Sequence, residues 1–354
     1  MTDTKILICG EAWGAEEERQ KKPFVGASGW YLNNLLEEAK ILPIGSAQII
    51  SQQRYRRDEI YHNAGVKLTN VFNLRPEGNK IDRLCGPQWG GNLPSLSSGK
   101  YLRADFLPEL ERLASEVLLW KPNIILGLGA TALWFFTGTT TISKQRGTVA
   151  ESKYGKFLAT YHPAHLMRGM DHLRPIVLFD LMKTKRQAEF PEIRRPQRFV
   201  HIPESIDDIH EAIKLMKDCE RISIDIETRE DIITCIGFAW TPKDVLVIPL
   251  LDYRRPDNAY WNHNEEKEVW ALIKHLCQMP QPKVFQNGLY DLHFLWRRCG
   301  IPVSNCADDT MLLHHSLQPE VQKGLGFLGS IYCDEPAWKT MRGRGRGTIK
   351  HEDE

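Results

Sequence analysis

Residues 221–230, RISIDIETRE, set two acids close together on one short stretch. Ile222, Ile224 and Ile226 alternate with Ser223, Asp225 and Glu227. This is the period-two pattern of a half-buried strand, with both carboxylates on the face opposite the isoleucines. Like charges so placed repel unless a cation lies between them, and hard carboxylate oxygens suit Mg²⁺ or Mn²⁺. About sixty residues later, QNGLYDLHFL places Asn287 and Asp291 four apart, one helical turn, just after an expected strand. Asp291 can bring a third carboxylate to the same place. The competing account is a solvated strand face.

The elements that must hold these side chains fall into two groups. The chain has 354 residues, too many for one ordinary domain and comfortable for two. Strands are expected at KILICG (5–10), KLTNVF (67–72), NIILGLG (123–129) and KFLATYH (156–162), with helical patterns between them. Alternating strands and helices imply a parallel sheet covered on both faces. AEFPEIRRPQRFVHIPES (188–205), with three prolines and no clean periodicity, reads as a linker. After it RISIDIE, ITCIGFAW and DVLVIPL follow in quick succession as an antiparallel meander. A helix, the strand KVFQN and two more helices come next.

Charge follows the same division. In residues 1–197, 27 Lys and Arg face 20 Asp and Glu, whereas 19 face 25 in residues 198–354. A basic front half suits a polyanion, and an acidic rear half suits one only if metal ions reverse its local sign. The eight cysteines include no C-x-x-C pair, which argues for reduced thiols rather than zinc or disulfides. No apolar run approaches the length of a membrane-spanning helix, so no membrane partner is expected. RGRGRG (342–347) reads as a solvated basic loop.

D-x-E on a first strand, followed by N-x-x-x-D, resembles the first two motifs of the DEDD 3′–5′ exonucleases. Within that group it resembles the proofreading domains of family A DNA polymerases. DDTMLLHHSLQPEVQKGLGFLGSIY (308–332) continues the likeness with D-T at a helix start and a K-x-L-like run. The resemblance spans roughly residues 200–340. It implies a ribonuclease H-like (DnaQ-like) fold and two-metal hydrolysis of a terminal phosphodiester, with Asp225, Glu227 and Asp291 as ligands of Mg²⁺ or Mn²⁺. Asn287 would orient nucleic acid, and Asp308 and Asp309 read as helix N-caps. The family's third motif, Y-x-x-x-D or H-x-x-x-D, has no match: Tyr332 is followed four residues on by Pro336. The domain is therefore expected to stop short of that motif.

GEAWGAEEERQKKPFVGASGWYLNNLL (10–36) resembles the opening motifs of the family 4 uracil-DNA glycosylases. TNVFNLRPEGN (69–79), KPNIILGLGATAL (121–133) and TYHPAHLMR (160–168) match further motifs in order. The resemblance covers most of residues 1–185 and implies a pocket that reads an extruded base. Phe24 would be the stacking platform and Asn70 would bond the uracil edge. His162 would stabilise charge on the departing base, Glu11 would position water, and Arg168 would meet phosphate or close a salt bridge. Trp13 stands where the motif has proline, and Leu74 where the family has a cluster-binding cysteine, so no iron–sulfur cluster is expected.

The expected fold is α/β with a glycosylase-like three-layer parallel-sheet domain at 1–190. A linker at 191–199 and an exonuclease-like domain at 200–354 follow. The expected function is DNA replication or repair, resembling the front part of a phage-type family A DNA polymerase. Its partner would be DNA, single-stranded or at 3′ ends. The setting would be the cytoplasm of a bacterium or phage-infected host. The alternatives are a catalytically inactive DNA-binding accessory protein working with a separately encoded polymerase, and a glycosylase alone with a structural rear domain.

Overall fold

The structure, a computed structural model, describes residues 4–88 and 91–335. The RGRGRG segment lies outside the described residues. Contacts divide the chain into two units: Met1–Arg195 together with Gly326–Glu354, and Pro196–Leu325. The division differs from the expected single run 200–354, because the helix Leu325–Tyr332 buries Leu328, Ser330 and Ile331 and bonds with residues of the first unit. Among the described residues no helix is long and apolar enough to cross a membrane.

The first unit holds β1 (Ile6–Ala12), β2 (Val66–Phe72), the short antiparallel ribbon β3 (Cys85–Gly86) and β4 (Tyr101–Leu102), β5 (Ile124–Leu128), β6 (Val149–Ser152) and β7 (Gly155–Thr160). Its five-stranded sheet has the order β2-β1-β5-β7-β6, parallel except for the edge strand β6. Alternation along β1 builds two cores. Ile6 and Ile8 pack with the helices Ala27–Glu38 and Arg174–Gln187, while Leu7 and Cys9 pack with Leu107–Trp120 and Ala130–Thr137. The result is three layers. The chain leaves β1 in one direction toward β2 and in the other toward β5, so a switch point opens beyond the carboxyl ends of β1 and β5. Open α/β sheets hold their ligands at such a crevice.

The second unit contains β8 (Phe199–His201), β9 (Ile222–Arg229), β10 (Ile232–Ala239), β11 (Asp244–Pro249), β12 (Lys283–Phe285) and β13 (Cys306–Asp309). Their order is β13-β12-β9-β10-β11-β8. The meander β9-β10-β11 is antiparallel, and β12 and β13 add in parallel beside β9. Ile222, Ile224 and Ile226 are buried with the helices Ile206–Met216 and His263–Gln278, which leaves Asp225 and Glu227 exposed on the other face. β8 pairs parallel with β11 inside the stretch that reads as linker.

Candidate active sites

Four strand ends and the loops after them build a cavity of about 420 Å³ in the first unit. Glu11, Phe24, Asn70, His162 and Arg168 all line it, so the structure brings these five sequence-derived residues together. Gly10 pairs with Asn70 across β1 and β2. A Cβ on Gly10 would lie 2.3 Å from the Asn70 Oδ1 and 2.6 Å from the Phe24 ring, so only a hydrogen fits there. The floor of the cavity is where these two side chains converge.

Phe24 is buried with φ 54°, a left-handed conformation that bulky residues rarely adopt. Its surroundings enforce it. The Arg57 guanidinium donates to the Pro23 and Phe24 carbonyls, and Gly29 lets the Phe24 carbonyl approach where a methyl group could not fit. Glu17 ties the two glycine-rich turns together. Its carboxylate accepts from the backbone N–H of Gly14 at 3.1 Å, Val25 at 3.0 Å and Gly26 at 2.7 Å. Sequence reasoning passed over Glu17 and Arg57. The signal for Glu17 was its place three residues after Gly14, the reach of a capping carboxylate.

His162 follows β7 and caps the helix Pro163–Leu166. Its Nδ1 accepts the Ala164 N–H at 3.1 Å, which puts the ring proton on Nε2. Burial, with help from the Arg168 charge, pushes its pKa down to about 4. The ring lies 6.2 Å from that of Phe24 and 23° from parallel. On the opposite wall Thr131 donates to the Glu11 carboxylate at 2.5 Å, across the switch point.

The depressed histidine has a consequence for stability. Between pH 4 and 6.5 the unfolded chain binds a proton that the folded chain refuses, so stability rises with pH through this window and falls on acidification. At pH 5 the loss from this group is about 2 kcal/mol. Urea unfolding at pH 7 and pH 5 should show this loss in the wild-type protein and lack it in His162→Asn; equal losses would place the acid sensitivity elsewhere.

In the second unit Asp225 faces Gly237 and Glu227 faces Cys235 across β9 and β10. Asp291 enters from the first turn of the helix Leu289–Cys299, and its Oδ1 accepts the Ile226 N–H at 3.0 Å, between the two acids of β9. Asp291 is 4% exposed. Burial first, then the Asp225 charge, push its pKa up to about 6 against the opposing pull of the Ile226 N–H. The structure thus brings Asp291 to the β9 backbone, where it feels the Asp225 charge. Asn287 does not share a helical turn with it. Asn287 stands before the helix with φ 62°, and its N–H and that of Gly288 both bond the Asp309 carboxylate. Asp309 also caps the helix Thr310–Leu317, while Asp308 lies on β13, 3.7 Å from Arg221. Burial would raise the Asp309 carboxyl, but these backbone N–H groups outweigh it and hold the pKa low.

The all-oxygen donor set and the repulsion felt by Asp291 fit a hard divalent cation. Among the described residues no group of three or more His, Cys, Asp or Glu side chains is placed to hold a metal ion, so Asp225, Glu227 and Asp291 do not converge as a ligand set here. An open pair of carboxylates is the usual arrangement for Mg²⁺, which keeps waters and takes substrate phosphate oxygens.

The profile of the uracil DNA glycosylase superfamily matches residues 1–193. The chain belongs to this superfamily. The type-4 uracil-DNA glycosylase of Thermotoga maritima is 32% identical over 187 residues, which cover 52% of this chain and 77% of that protein. The glycosylase-superfamily chain carries a second domain: a 3′–5′ exonuclease profile matches residues 200–346. The DNA polymerase of Bacillus phage SP01 is 22% identical over 337 residues, covering 88% of this chain and 32% of the polymerase. The chain therefore spans about a third of that relative's length. The Aedes aegypti Nibbler EXO domain matches with a TM-score of 0.31 and 16% identity, over 40% of this chain and 72% of its own. A glycosylase-like base-pocket domain and a DnaQ-like exonuclease domain are joined in one α/β chain.

Proposed function

We propose that the first unit removes uracil from DNA and the second trims DNA 3′ ends in a reaction dependent on Mg²⁺ or Mn²⁺. The observation that carries the first reading is His162, its Nδ1 taken up by the Ala164 N–H, in a cavity with Phe24, Asn70 and Glu11. An extruded base stacks on Phe24, and Asn70 bonds its edge. As the glycosidic bond breaks, negative charge grows on the base oxygens. The His162 Nε2–H donates to that charge without first taking up a proton. Glu11, held on one side by Thr131, orients the attacking water, and Arg168 meets a phosphate at the rim.

For the second unit, Asp225, Glu227 and Asp291 would hold the metal ions. Bound there, such ions supply activation of water and stabilisation of the leaving oxygen. Asn287, whose N–H bonds the Asp309 carboxylate, would orient the strand end. No iron–sulfur cluster takes part in this reading: Leu74 packs against the apolar core of the first unit. The work is placed in the cytoplasm of a bacterium or phage-infected host.

One observation favours the second reading, an inactive DNA-binding accessory protein beside a separate polymerase. Trp13 lines the cavity, and its indole N–H is buried without a hydrogen-bond partner among the described residues. A bulky ring there narrows access to the base site.

A metal titration separates the readings. Uracil release from a duplex is expected to ignore EDTA, and 3′ trimming to vanish with EDTA and return with Mg²⁺ or Mn²⁺. DNA binding that weakens with salt, with neither activity, would establish the accessory reading.

A further inference from the structure

We propose that residues 326–334 are a clasp of the base-pocket unit, seated in a receptor that the unit builds for the carboxyl end of a helix. The stretch belongs to the sequence matched by the exonuclease profile, yet its partners lie elsewhere. Arg146 and Asp180 are fully buried and paired to each other. Arg146 Nη1 donates onward to the Ser330 hydroxyl at 2.8 Å, and its guanidinium lies over the Phe327 ring. Lys183, 2% exposed, donates to the carbonyls of Gly147 at 2.9 Å, Ser330 at 2.7 Å and Cys333 at 2.7 Å.

The charge balance shows what the receptor fits. Arg146 and Lys183 bring two positive charges against the buried Asp180, and the second negative charge comes from the clasp itself: the Asp334 carboxylate lies 3.9 Å from Lys183. The buried ammonium also needs hydrogen-bond acceptors that water cannot supply at that depth. Carbonyls at a helix carboxyl end have no partners inside the helix and carry partial negative charge. Two of the three acceptors of Lys183 are such carbonyls of the helix Leu325–Tyr332 and the residue after it. Gly147 completes the seat. With φ 72° it takes a left-handed conformation, and a Cβ would meet Asp180 Oδ1 at 2.6 Å and the Ser330 carbonyl at 2.9 Å.

The receptor is also bonded to the strand that precedes His162. Asp180 accepts from Thr160 at 2.6 Å, and Thr160 ends the strand that leads into His162. The exonuclease unit is thereby flanked in sequence on both sides by parts of the base-pocket unit. This inference rests on contacts alone and stands or falls independently of uracil release.

Hydrogen exchange on the full chain tests it. Amides at the end of the helix, residues 329–333, are expected to be protected in the wild type. Ser330→Arg, which crowds the receptor with another cation, should reduce that protection by about 100-fold while β9 to β11 exchange as before. Wild-type amides 329–333 exchanging like an unstructured peptide would overturn the proposal, as would unchanged protection in the variant. A second measurement needs no substitution in the seat. With a protease site inserted between Arg195 and Pro196 and cut in native buffer, amides 329–333 should stay protected; loss of protection on cutting would show that connectivity alone held the segment there.

Discussion

His162→Ala is expected to slow uracil release by about 10²- to 10³-fold while duplex binding persists. The size follows from the role. A neutral donor aimed at the growing charge acts in the transition state and adds little to ground-state binding, so the loss should fall on kcat rather than KM. The local structure narrows the interpretation. His162 Nδ1 is engaged by the Ala164 N–H, so the ring offers the pocket a single proton, on Nε2. With the pKa near 4, that donor is present throughout the neutral range, and the rate should show no inflection near pH 6.5 from this group. Single-turnover excision assays across pH would decide both points. Equal rates in wild type and variant would mean that the pocket has been placed wrongly.

Asp225→Asn is expected to remove metal-dependent trimming, by about 10²-fold or more, without lowering the melting temperature. Loss of a ligand charge weakens the metal site directly. Stability should move the other way, because Asp225 helps to push up the pKa of the buried Asp291. A carboxyl whose folded pKa exceeds its unfolded value favours folding when protonated, and the benefit is lost as pH rises through about 6. At neutral pH the ionised Asp291 therefore costs stability, and removing its neighbour's charge relieves part of that cost. Gel assays of 3′-labelled oligonucleotides with thermal melts of both proteins test the pair of outcomes. Undiminished trimming would refute the ligand assignment; a large fall in melting temperature would make Asp225 a structural residue instead.

The isoleucine alternation of residues 222–226 was legible in the sequence because strand periodicity is a local fact. So were the strand-helix alternation of the first unit and the ordered stretches that carry its pocket. Other features depend on pairings that no local pattern encodes. Arg57 acts on backbone carbonyls, which carry no residue signature. The left-handed conformation of Asn287 breaks the helical turn that its spacing to Asp291 suggests. Three residues of strand, Phe199–His201, vanish in a proline-rich context because so short a run has no period to detect. KGLGFLGSIY read naturally with the residues before it, and only the distant cations Arg146 and Lys183 explain where its helix lies.

The floor of the base pocket is defined by an atom that is missing. Asn70 and Phe24 both stand in the space that any side chain at residue 10 would claim. Neutral drift at that codon is thus closed for as long as the pocket is used, since even the smallest replacement displaces two of its walls.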